Sequence, residues 1–188
     1  MKPILIALSL LLLFSQGQAQ QPAPLPERFT AFGISLGDGL TRSGTAQIEL
    51  TIDRWSTAEE LAALFEAGER GQQALADAMY DTPSVGSVRT PQSLAYSLHY
   101  AVQRIDEDGT RHIYLATPRP MSYWELVRRS RSVAYPITFI ELRVDEEGRG
   151  DGEMSLAARV TASQDRRRLF VLNYAVRPIL LKSVRKRE

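Results

Sequence analysis

The chain contains no cysteine. That excludes disulfides, thiolate zinc sites, iron–sulfur clusters, thiol nucleophiles and a lipid-bearing N-terminal cysteine. Histidine occurs only at His99 and His112, so a metal site would need carboxylates for most of its ligands. Charge of one sign is not in excess either. With 23 Lys+Arg against 22 Asp+Glu, the broad basic surplus of a dedicated nucleic-acid binder is missing, and no nucleic-acid partner is expected. Long apolar runs are scarce. The longest, Ile4 to Phe14, covers roughly 17 Å at about 1.5 Å per residue, well short of a bilayer core of about 30 Å. No transmembrane segment is expected in the mature chain. With 44% hydrophobic and 24% charged residues, the composition is that of a globular protein, not a collagen-like or disordered one.

That short apolar run has a different use. Lys2 precedes it, and small residues at Gly17 and Ala19 follow. A positive start, an apolar core and a small-x-small site predict a secretory signal peptide over 1–19, cleaved after Ala19. The expected localisation is extracytoplasmic, either periplasmic or secreted, in a bacterium. Residues 20–27 (QQPAPLPE) read as a flexible Pro/Gln leader. Residues 28–184 read as a single β-rich domain, and 185–188 as a charged tail.

Alternation dominates that domain. Phe32, Ile34 and Leu36 alternate up to Gly37, and Ala46, Ile48, Leu50 and Ile52 alternate with polar residues, which predicts a hairpin. Thr57-x-x-Glu60 is a capping box that opens a helix bearing Leu61, Leu64 and Phe65, with Gly68 as its stop. A second short helix is expected over Gln72 to Tyr80, and a third from the box at Ser122 to Glu125. Strands are expected around Tyr96 to Val102 and Arg111 to Ala116, joined by a two-residue turn at Asp108-Gly109 that sets Ile105 opposite His112. Pro136 to Val144 and Leu169 to Val176 are apolar on both faces, which predicts paired central strands with Phe139, Ile140, Val171 and Leu172 in the core. Met154 to Val160 and Ile179 to Val184 complete the set. The fold class is α+β, mainly antiparallel β, with about eight strands in a sandwich or barrel-like sheet and two or three short helices.

No complete catalytic set emerges. Gly33-x-Ser35-x-Gly37 matches the hydrolase nucleophile elbow, but that motif needs a helix directly after the serine and a histidine partner. A strand is expected instead, and His99 and His112 both fall in strand-like runs. Asp145, Glu146, Glu147 and Asp151 form an acidic turn, yet Arg149 and Leu156 stand where an EF-hand needs ligands. Catalytic, cofactor-binding and metal residues are accordingly none. The basic runs Arg128, Arg129, Arg131 and Arg166, Arg167, Arg168 would suit an anionic surface if they converged on one face.

Three stretches, Ile52 to Thr57 (IDRWST), Thr117 to Glu125 (TPRPMSYWE) and Tyr135 to Val160, resemble a group of exported bacterial proteins of unknown function. The resemblance implies no activity, ligand or site residue. The expected function is therefore a non-enzymatic binding or interaction role for an exported soluble protein. The alternatives are a carrier of a small apolar ligand in a β-barrel cavity and, last, a serine hydrolase using Ser35.

Overall fold

The computed structural model describes residues 25–37, 43–91, 94–118, 134–163 and 168–187. In chain order the elements are β1 (Glu27–Ser35), β2 (Gly44–Ile52), α1 (Ala58–Arg70), α2 (Gln72–Asp81), β3 (Gly86–Arg89), β4 (Tyr96–Leu98), β5 (Tyr100–Ile105), β6 (Arg111–Thr117), β7 (Ile137–Val144), β8 (Arg149–Ser163), β9 (Arg168–Tyr174) and β10 (Ile179–Arg187). Ten strands form one sheet in the order β4-β3-β2-β1-β10-β8-β7-β6-β5, with β9 attached to β8, and every pairing is antiparallel. The count exceeds the eight expected because β3 is not among them and the stretch Tyr96 to Val102 is interrupted at His99. β4 and β5 flank His99.

The break at His99 is also what joins the sheet's two ends. β4 pairs with β3 and β5 with β6, so one bent segment lies on both ends and the sheet is a nearly closed barrel. Ser56 fastens the incoming loop there: its N–H donates to the Ala101 carbonyl at 2.9 Å, and its hydroxyl accepts the Ala101 N–H at 3.0 Å.

The inward faces supply one core, including Phe29, Leu50, Val88, Leu98, Ile113, Leu115, Ile140, Leu142 and Leu181. A second core lies on the outer wall, where α1 and α2 cover Tyr100, Tyr114, Ile137, Phe139, Ala158 and Val160. β7 serves both cores, which is why its sequence is apolar on both faces. Between Ile137↔Ala158 and Phe139↔Ser155, β8 carries one residue more than β7. This bulge turns the apolar face of β8 over: Met154 and Leu156 belong to the interior, Ala158 and Val160 to the helix-covered wall. Beyond the end of β7, the Gln72 side chain takes over as pairing partner of β8. Its carbonyl accepts the Val160 N–H at 2.7 Å, and its amide donates to the Val160 carbonyl.

The capping box forms as expected: the Thr57 hydroxyl accepts the Glu60 N–H at 3.3 Å, and Glu60 accepts the Thr57 N–H at 2.9 Å. α1 does not stop at Gly68 but runs to Arg70 with Gly71 as its cap. Gly68 instead lets the helix approach Ala162 on β8. The helix expected at Ser122 to Glu125 lies outside the described residues, as do residues 1–24.

Four other expectations are corrected. On β1 the buried positions are Glu27, Phe29, Ala31 and Gly33, while Phe32, and Leu36 just past the strand, are more than half exposed. Gly33 leaves room on the inner face: a Cβ there would lie 3.1 Å from Ile48 and 3.2 Å from Ile179, so those side chains would have to give by a few tenths of an ångström. Glu27 and Arg185 to Arg187, read as leader and tail, are parts of β1 and β10. In the β5–β6 hairpin His112 faces Arg104, one residue from the expected register. The loop is longer: Asp106 N–H donates to Thr110 O, Gly109 sits at φ 84°, and the Asp108 carboxylate takes the Thr110 N–H. Finally, Val171 is only half-buried and Leu172 is 56% exposed. β9 is not a central strand, since among the described residues it pairs with β8 alone.

One end of the barrel is tied by a buried ion pair. Glu27 is fully buried, and Arg111 donates to both its oxygens at 2.7 and 2.8 Å. Arg111 also donates to Gln103 at 2.6 Å and lies 5.4 Å from the Trp55 ring centre. The Lys186 ammonium is 3.5 Å from Glu27.

Candidate functional site

Beyond the bulge, β8 and β9 form an arm that folds back over the outer wall. The Leu169 N–H donates to the Tyr100 hydroxyl at 2.9 Å, and the Arg168 guanidinium lies 4.5 Å over the centre of the Tyr114 ring. Between this arm and the wall runs a groove of about 580 Å³. Phe139, Glu141, Glu153 and Ser155 line it from the barrel, and Arg168, Phe170 to Tyr174 and Pro178 line it from the arm and the segment after it.

The register decides what lies on its floor. Tyr114 is opposite Glu141, Glu141 opposite Glu153, and Glu153 opposite Leu180. Two carboxylates are thus direct cross-strand neighbours, an arrangement that costs stability when nothing neutralises it. Among the described residues neither has a lysine or arginine partner. His112 approaches this floor: its Nδ1 is 3.5 Å from Glu141 while its Nε2 is 3.1 Å from Asp106. At 3.5 Å the Nδ1 contact is within ion-pair reach but makes no hydrogen bond, and His112 Nδ1 and Arg168 Nε are both buried without a hydrogen-bond partner among the described residues. Orphaned polar atoms of this kind are uncommon in folded proteins, and here two of them flank one groove.

The aromatic groups beneath are not acid–base groups at neutral pH. Burial raises the Tyr114 phenol above its ordinary range, with Arg168 opposing and Glu141 adding to the shift. Burial raises Tyr100 far more strongly, against the bond from the Leu169 N–H. The groove therefore offers two carboxylates, an arginine edge, the serine of Ser155, the amide of Asn173, and an apolar wall. This set suits binding a cation carried on an apolar or peptide-like body. Among the described residues no group of three His, Asp or Glu converges to hold a metal ion.

The residues singled out from sequence fall elsewhere. Ser35 ends β1, opposite Gly44, and the next described element is a strand. His99 Nδ1 lies 2.7 Å from the Thr82 carbonyl, so neither histidine is placed with Ser35. In the acidic turn, Asp145 and Glu147 hold the Arg149 guanidinium at 3.3 and 3.0 Å. The Arg149 N–H, donating to the Asp145 carboxylate, keeps that carboxyl below its usual range. Of the basic runs, Arg128, Arg129, Arg131, Arg166 and Arg167 lie outside the described residues. Arg168 is not on an open basic face, because it is folded down onto Tyr114. Glu141 and Glu153 were legible as polar positions on alternating strands, but their adjacency depends on the β7–β8 register. No family model, no curated protein and no solved structure matches this chain.

Proposed function

We propose that this is an exported, soluble binding protein, not an enzyme, and that it holds an extended, cationic segment of a partner in the groove under β9. The observation that carries this reading is the opposed pair Glu141 and Glu153 on the floor. A lysine or arginine between them relieves their repulsion, and its stem packs on Phe170 and Pro178 as long cationic side chains do. β9 supports the same reading: its second edge, unpaired among the described residues, suits addition of a partner strand. The side chains filling the barrel interior weigh towards the outer wall and against the carrier alternative. The serine hydrolase ranks last, since a strand follows Ser35. Export rests on the pattern of residues 1–19, and intact mass of the exported chain checks it, with Gln20 expected as the first residue.

Binding is tested by calorimetry with two capped peptides of alternating valine and threonine, one with a central lysine and one with a central glutamate. The lysine peptide is expected to bind and the glutamate peptide not. Glu141→Gln with Glu153→Gln should weaken the lysine peptide at least about tenfold. Equal affinity for both peptides, or an unchanged double variant, would defeat the reading.

A further inference from the structure

Next to the groove, across the pairing of Glu153 with Leu180, β1 and β10 present a second face whose two halves differ in chemistry. The register places Arg28 opposite Arg187 and Thr30 opposite Arg185, then, past a bulge, Phe32 opposite Lys182 and Ile34 opposite Leu180. Leu36 follows beyond Ser35. Phe32 and Leu36 are 57% and 55% exposed. The charges on this face do not cancel. Lys182 pairs with Asp151 at 2.8 Å and Arg89 with Glu49 at 2.6 Å, but Arg28, Arg185 and Arg187 have no acidic partner among the described residues. Arg28 and Arg187 are direct cross-strand neighbours of like charge, an arrangement that an anion between them would relieve. Beside them lies a polar hollow of about 450 Å³ whose lining includes Arg28, Arg187, Thr51 and Ser87.

We propose that this face seats the protein on an anionic lipid bilayer, independently of the groove. The unpaired arginines supply planar, multi-donor groups suited to headgroup phosphates. Phe32 and Leu36 supply an aromatic and an aliphatic side chain for the interfacial layer. A soluble polyanion would use the arginines but would have no use for the apolar half. Both halves lie along β1 and β10 and the residue that follows β1.

The test is flotation of the exported chain, its N-terminus fixed by intact mass, with vesicles of phosphatidylcholine alone or mixed with phosphatidylglycerol. Binding is expected only to the mixed vesicles and is expected to fall as salt rises. Reversing Arg28, Arg185 and Arg187 to glutamate should weaken it about a hundredfold or more. Phe32→Ser with Leu36→Ser, both at exposed positions, should weaken it while leaving the melting temperature unchanged. No binding to the mixed vesicles, or equal binding to neutral ones, overturns the proposal. So does binding to inorganic polyphosphate that the serine variants leave intact while vesicle binding is absent, which would reassign the face to a soluble polyanion.

Discussion

Glu27 is a carboxylate buried at the barrel's end, and its stability rests on Arg111 and, at longer range, Lys186. Removing Arg111 leaves a buried charge that, among the described residues, only Lys186 at 3.5 Å compensates. Arg111→Met should therefore cost about 3–5 kcal/mol in urea unfolding. Adding Glu27→Gln to that variant should recover a good part of the loss. A cost below about 1 kcal/mol would mean that Arg111 does not neutralise Glu27. Glu60 behaves differently because it lies near the surface. Its bond from Arg54, aided by the Thr57 N–H, lowers its pKa. A lowered folded pKa contributes stability that is complete above the unfolded value of about 4.3 and is lost as pH falls through the folded value. The stability difference between the native chain and Glu60→Gln should accordingly be present at neutral pH and vanish in acid. A difference that persists in acid would point to packing instead of charge.

At the scale of elements, the two strands that looked alike in sequence part company. β7 is apolar on both faces because it separates two cores. β9 is apolar on both faces because Leu169 is buried in the outer core while Phe170, Val171 and Leu172 line the groove. Leu115→Ala, on the inner face of β6, should cost about 2–5 kcal/mol, while Leu172→Ala should cost less than about 0.5 kcal/mol. Thermal or chemical unfolding of both variants checks the pair, and similar losses would put β9 back in the core. Alternation and capping chemistry made most of the elements legible, α1 and α2 almost to the residue. They could not separate an inward apolar face from an outward one. On β1 the conspicuous series Phe32, Ile34, Leu36 points out, and the quieter series Phe29, Ala31, Gly33 points in. A Cβ at position 33 would be tight against Ile48, at 3.1 Å, a constraint that periodicity does not record. The one-residue shift in the β5–β6 hairpin has the same origin, since a turn built on Asp106, Asp108 and Gly109 is longer than the Asp-Gly pair suggests.

The whole molecule is a nearly closed barrel whose interior is occupied by side chains, with the candidate groove on its outside. The fold class was legible in the sequence. The candidate site was not, because it exists only where β8 bulges, the arm folds back and the β7–β8 register sets Glu141 beside Glu153. The central claim is that binding takes place on the outer wall. The most direct measurement is a map of backbone amide shifts by NMR as the lysine peptide is added. The account predicts that the shifts gather on β9 from Arg168 to Tyr174 and around Glu141 and Glu153, and that they disappear in the Glu141→Gln, Glu153→Gln variant. Shifts centred on interior residues such as Leu115, Leu142 and Leu181, with β9 unmoved, would contradict it and return the protein to the carrier reading.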